Sequence, residues 1–121
     1  MRLKSLLIPT LVAILVAAVA VIFRHRTAPH AVSAAVHNGH LTIAISNYAF
    51  LPNAVTVTSG TRVTWTNHDN TAHTATADNG SFDTGTVAPH ASRVIDFQHP
   101  GTYTYHCAFH AFMTATITVK P

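Results

Sequence analysis

The chain has 121 residues, room for one domain, and only 9% of them are charged. Its formal net charge of +3 is concentrated at the start: Arg2, Lys4, Arg24 and Arg26 precede a remainder that sets Arg62, Arg93 and Lys120 against Asp69, Asp78, Asp83 and Asp96. A remainder near −1 excludes a basic face for nucleic acid, and a single cysteine, Cys107, excludes an internal disulfide.

From Ser5 to Phe23 the chain is apolar and carries no charge. Nineteen residues at about 1.5 Å each span about 28 Å as a helix, close to the ~30 Å of a bilayer core. Two readings of residues 1–26 stand side by side: an uncleaved membrane anchor through residues 5–23, or a long signal peptide. The nearest small-residue cleavage pattern, Val32-Ser33-Ala34, lies far downstream for a signal peptide. Both readings send the domain out of the cytoplasm, to a periplasmic or other extracytoplasmic location. Residues 27–40, rich in Ala, His and Pro without periodicity, read as a flexible tether, and the folded domain is expected over residues 41–121.

Strand signals begin at Leu41. Leu41 to Ser46 and Ala54 to Thr58 alternate with period 2, and Ser59-Gly60 marks a turn before Arg62 to Asn67. Further strands are expected at Thr71 to Ala77, Ser92 to Phe97, Thr102 to His106 and Thr114 to Lys120. Asn67-His68-Asp69-Asn70, Asp78-Asn79-Gly80 and His99-Pro100-Gly101 supply the turns. No helical period appears after the first segment. Short strands with frequent turns argue for an all-β sandwich or barrel. The Val and Ile residues, Trp65, Phe50, Phe97 and Tyr103 are expected at core or half-buried positions.

The densest chemistry lies in Cys107-Ala108-Phe109-His110-Ala111-Phe112-Met113, between two expected strands. A thiolate, an imidazole and a thioether spaced three residues apart on one loop can curl around one centre. His73, after the Asn67 to Asn70 turn, is a candidate fourth ligand. Two histidines, a cysteine and a weak axial methionine form the set used for one copper ion cycling between Cu(I) and Cu(II). Zinc is the nearest competitor, although its structural sites rarely use methionine. A catalytic Cys–His pair is a third reading, without an evident orienting group. His68, His90 and His99 read as surface turn residues, and His106 as pointing away from the cysteine's side of its strand.

The segments Val63-Thr64-Trp65-Thr66-Asn67, Pro100-Gly101-Thr102-Tyr103-Thr104-Tyr105-His106-Cys107, His73, His110 and Met113 together resemble the cupredoxins, in particular the amicyanin/plastocyanin-like group. The resemblance covers about Leu41 to Lys120, and the short Cys-x2-His-x2-Met loop is amicyanin-like. It implies a Greek-key β-sandwich with one type 1 copper and no catalytic turnover. It also implies His73, Cys107 and His110 as equatorial ligands and Met113 as the axial one. Its implied function is one-electron transfer by a monomer to redox partner proteins. His110 would be the electron port, and Phe112 with its neighbours a transient docking patch. The alternative from another class is a copper-binding or copper-delivery protein that uses the same ligands. Three residues depart from the amicyanin pattern. Ala72 and Thr74 stand where Pro and Asn usually flank the first histidine, and Ala108 where Thr or Ser follows the cysteine. The side-chain bond that ties the two ligand loops in relatives is therefore expected to be missing.

Overall fold

Each alternating segment has one apolar side to hide, and two such surfaces facing each other solve that problem. The computed structural model describes residues 36–121, so the expected anchor or signal over residues 1–26 and most of the expected tether lie outside the described residues. Among the described residues every regular element is a strand, and no helix is long and apolar enough to cross a membrane.

Eight strands follow in chain order: β1 (His40–Ser46), β2 (Ala49–Leu51), β3 (Ala54–Thr58), β4 (Thr61–Asn67), β5 (Thr76–Ala77), β6 (Ser92–Phe97), β7 (Gly101–His106) and β8 (Thr114–Lys120). They form two four-stranded sheets, ordered β2-β1-β4-β6 and β3-β8-β7-β5. Two pairings are parallel, β1 with β4 and β3 with β8, and the others are antiparallel. Since Ile45 stands opposite Asn67, β1 and β4 run out at the same end of the sandwich. β7 also ends there, and β8 returns from it with His106 opposite Thr114.

Alternation puts Leu41, Ile43 and Ile45 of β1, Val63 and Trp65 of β4, and Ala115, Ile117 and Val119 of β8 into one core. Trp65 is at its centre, against Phe82, Phe97 and Tyr105. Its indole N–H donates to the Tyr105 hydroxyl at 3.3 Å. Burial pushes the Tyr105 phenol far above its ordinary range, only partly opposed by that bond. As expected, Trp65, Phe50 and Phe97 are buried and Tyr103 is half-buried on the edge of the core, whereas Val94 of β6 is exposed.

Two elements differ from the sequence expectation. The stretch Thr71 to Ala77 keeps only β5 as a strand, because its earlier residues pair instead with a segment below it. There the His73 N–H donates to the Val87 carbonyl at 3.1 Å, the Val87 N–H returns to the His73 carbonyl at 2.7 Å, and the Thr84 N–H reaches the Ala75 carbonyl at 3.0 Å. The second difference is β2, three residues long and too short to show a period before Pro52.

Ile43 is fully buried and Thr42 beside it is exposed. Ile43→Ala is expected to lower unfolding stability by about 2–5 kcal/mol. Thr42→Ala should change it by only about 0.5 kcal/mol. Urea denaturation followed by Trp65 fluorescence measures both, and equal losses would mean that the assigned faces are wrong.

Candidate metal centre

The loop from Cys107 to Met113 closes the β7–β8 hairpin by backbone bonds that explain its spacing. The Cys107 N–H donates to the Met113 carbonyl at 3.1 Å. Inside that closure the His110 N–H reaches the Cys107 carbonyl at 3.3 Å, and the Met113 N–H reaches the His110 carbonyl at 2.9 Å. Both inner bonds have the i to i+3 pattern of a β-turn. Cys, His and Met therefore stand at the corners of two consecutive turns, which is why two residues separate each from the next.

The structure brings His73 to this loop from the segment between β4 and β5. Cys107 Sγ lies 3.7 Å from His73 Nδ1 and 3.7 Å from His110 Nδ1. One donor atom from each of the three residues falls within 4.8 Å of the others. Around a single ion with bonds of roughly 2.0–2.3 Å, sulfur and imidazole nitrogen stand about 3.5–3.8 Å apart at trigonal to tetrahedral angles. The observed separations fall in that interval, so the residues fit a metal. Cys107 and His73 are 0% exposed and Met113 is 2% exposed, while His110 is only half-buried. A thiol, a thioether and two imidazoles with this burial form a soft donor set.

His73 and Cys107 are each held from behind. Asp69 carries the most contacts: Oδ1 accepts the Asn47 N–H at 2.7 Å, and Oδ2 accepts the Tyr48 N–H at 3.0 Å. The same Oδ2 lies 2.9 Å from His73 Nε2. A carboxylate there assigns the Nε2 proton to the bond and leaves Nδ1 as a free lone pair facing the sulfur. Partial burial alone would raise the Asp69 carboxyl, but the Tyr48 and Asn47 N–H bonds and the His73 ring outweigh it and hold it below the usual carboxylate range. Asn67, fully buried, donates to the Thr71 and Val87 carbonyls at 2.8 and 3.0 Å and accepts the Asp69 N–H at 2.9 Å. It thereby fixes the turn that presents Asp69 and His73 together.

Thr74 supplies what the sequence led us to expect missing. Its N–H points at Cys107 Sγ over 3.4 Å, and its Oγ1 accepts the Ala108 N–H at 2.8 Å. Ala108 has no side-chain partner to give, so the tie between the ligand segments runs from side chain to backbone.

Around the half-buried His110 the surface is aromatic. Tyr48 meets His73 and His110 nearly at right angles, at ring-centroid distances of 5.3 and 5.0 Å. Its hydroxyl bonds Thr71 Oγ1 at 3.0 Å. Phe112 lies 6.1 Å from His110 and 6.4 Å from Tyr48. Phe109 and Phe112 are 56% and 72% exposed, so neither packs into the core. His106 turns away from the sulfur and contacts Asp78 at 2.6 Å. His68, His90 and His99 are exposed, as expected. Sequence reasoning missed Asp69 and Tyr48. A carboxylate four residues before His73 was a readable hint for Asp69, whereas nothing local marked Tyr48.

The family model described as cupredoxin-like domain matches residues 12–119. No curated protein sequence matches the chain. Among solved structures, a reduced amicyanin variant superposes with a TM-score of 0.64 at 23% identity, covering 70% of this chain and 86% of that one. The Cu(I) form of another amicyanin variant gives 0.63 at 24% identity with the same coverage. A Cu-containing nitrite reductase from Thermus scotoductus SA-01 gives 0.63 at 25% identity, covering 66% of this chain but only 22% of that one.

Asp69→Ala leaves the His73 ring without its partner. Metal affinity, measured by competition with a chelator, is expected to fall about 10- to 100-fold. An unchanged affinity would show that the Asp69 contact does not set the ring for the metal.

Proposed function

Because the chain belongs to the cupredoxin-like domain family, we propose that it is a blue-copper electron carrier and not an enzyme. The proposed ligands are His73, Cys107 and His110 at short range, with Met113 as the weak axial one. The observation that carries this reading is the convergence of both Nδ1 atoms on the buried Cys107 sulfur at 3.7 Å. Copper bound there would alternate between Cu(I) and Cu(II), storing and releasing one electron.

The residues of the chain do the rest. Asp69 holds the His73 tautomer, the two turns hold His110 and Met113 at fixed spacing, and Thr74 N–H partly neutralises the sulfur. Burial of Cys107 keeps water and oxidants from the thiolate and leaves no approach for a substrate, which argues against the catalytic Cys–His reading. A site whose donors are already gathered, buried and buttressed needs little rearrangement when its charge changes by one. His110 is the most exposed of these side chains, and Tyr48, Phe109 and Phe112 frame it with apolar surface. This favours His110 as the electron port and the aromatic rim as the contact for brief, low-area encounters between a monomer and its redox partners. The apolar segment 5–23 supports export, with the domain working outside the cytoplasm, tethered or released through residues 27–40.

Two measurements test this. Copper(II) added to the metal-free protein should give an intense thiolate-to-copper visible band and a reversible one-electron wave, with the band absent in Cys107→Ser. A colourless product overturns the reading, and copper passed to a chaperone acceptor without reversible electrochemistry would favour delivery instead. For docking, Phe112→Ala should keep the visible spectrum and slow electron self-exchange, followed by NMR line broadening, roughly fivefold to tenfold, the effect of about 1 kcal/mol at an interface. An unaltered rate removes Phe112 from the docking surface.

A further inference from the structure

Asp69 contacts His73, Asp78 contacts His106 and Asp96 pairs with Arg62. The fourth carboxylate, Asp83, faces no basic group among the described residues. Its Oδ1 accepts the Gly85 N–H at 2.8 Å and the Thr76 hydroxyl at 3.2 Å. Thr76 Oγ1 is in turn 2.9 Å from Thr74 Oγ1, and Thr74 Oγ1 is 2.8 Å from the Ala108 nitrogen. Four groups thus form an unbroken line from the surface to the residue after Cys107.

The chemistry of the two ends fixes the direction of every link. A carboxylate only accepts, so Thr76 must spend its single hydroxyl proton on Asp83. Thr76 Oγ1 can then only accept from its neighbour, so the Thr74 proton lies between the two threonines. Thr74 Oγ1 is left with lone pairs alone, and the Ala108 N–H, which only donates, meets them. Reversal at any point would set two donors or two acceptors against each other.

We propose that Asp83, Thr76 and Thr74 are positioning residues for the metal site. In this chain the surface carboxylate polarises a two-hydroxyl relay, and the relay holds the Cys107–Ala108 peptide against the segment carrying His73. Thr74 meets this stretch twice, its backbone N–H on the Cys107 side-chain sulfur and its hydroxyl oxygen accepting the Ala108 N–H. Hydrogen bonds in such a series strengthen one another, so the charge at Asp83 acts at Ala108 without touching it. The relay takes the place of the Asn and Thr or Ser side chains that the amicyanin pattern would have supplied. Its effect on redox behaviour rests on the electron-carrier reading; its effect on the loop does not.

The test therefore has one arm without metal and one with it. In the metal-free protein, Ala108 amide hydrogen exchange by NMR should accelerate roughly tenfold in Thr74→Val, the value of one hydrogen bond. It should accelerate about twofold to threefold in Thr76→Val and in Asp83→Ala, and stay at the native rate in Thr74→Ser, which keeps the hydroxyl. In the copper-loaded protein the midpoint potential should shift in the same order, with Thr74→Ser unshifted. A merely structural threonine would move stability but not the potential. Native Ala108 exchange in both Thr76→Val and Asp83→Ala overturns the relay, even if Thr74→Val fails to fold. Failure to bind copper would remove the electron-carrier reading and leave the exchange result standing.

Discussion

The bond from the Cys107 N–H to the Met113 carbonyl closes a seven-residue loop at the point where β7 and β8 stop pairing. It extends the β7–β8 pairing by one step and frames the inner turns at His110 and Met113. With it, three chemically different donors are delivered by one short piece of chain whose conformational freedom is already spent on backbone bonds. Little ordering entropy is left for a ligand to overcome. The opposite half of the site uses a different device. His73 is outside regular strand, yet its backbone is bonded in both directions to Val87, and its ring is fixed by Asp69. Asn67 binds these pieces into one unit from beneath. Two separately stabilised segments meet at the Cys107 sulfur, and Thr74 joins them.

How much of this was readable from the sequence depends on how far apart the partners lie. β3, β6 and β8 have the bounds that alternation predicted, and β1, β4 and β7 each begin one residue earlier. Those strands announce themselves locally, because the side facing the core repeats every second residue. Cys107, His110 and Met113 were legible for a similar reason: the turns that arrange them are made of consecutive residues. His73 was a candidate from its place after the Asn67 to Asn70 turn and gained its role from likeness to the amicyanin pattern, whereas Thr74 entered only as a departure from that pattern. Asp69, four residues before His73, left a local hint that looks no different from any turn Asp. Tyr48 left none: it reaches His73 and His110 from more than twenty positions away because β1 ends beside β4, and no local pattern encodes such a contact. Exposure was equally hidden, since Phe109 and Phe112 have the composition of core residues and stand outside it.

The departures at Thr74 and Ala108 carry a wider lesson about substitution in a packed site. Reading each position alone suggested a lost tie, because neither residue is the one that relatives use. Together they are compatible: a threonine hydroxyl reaches a backbone N–H that an alanine leaves unobstructed. The tie between the two ligand segments runs here through one side chain and the main chain, without a pair of side chains.

The aromatic rim also bears on how the protein comes to hold its ion and keep it. On the proposed reading, Cys107, His73 and Met113 are buried, so among the described residues the most open side of the site is at half-buried His110, beside Tyr48 and Phe112, and copper would enter there. The electron would leave by the same doorway. A partner seated on the rim to collect that electron would therefore block the exit of the ion for as long as it stayed. The carrier would be most secure against losing its copper during the encounter in which its charge state changes.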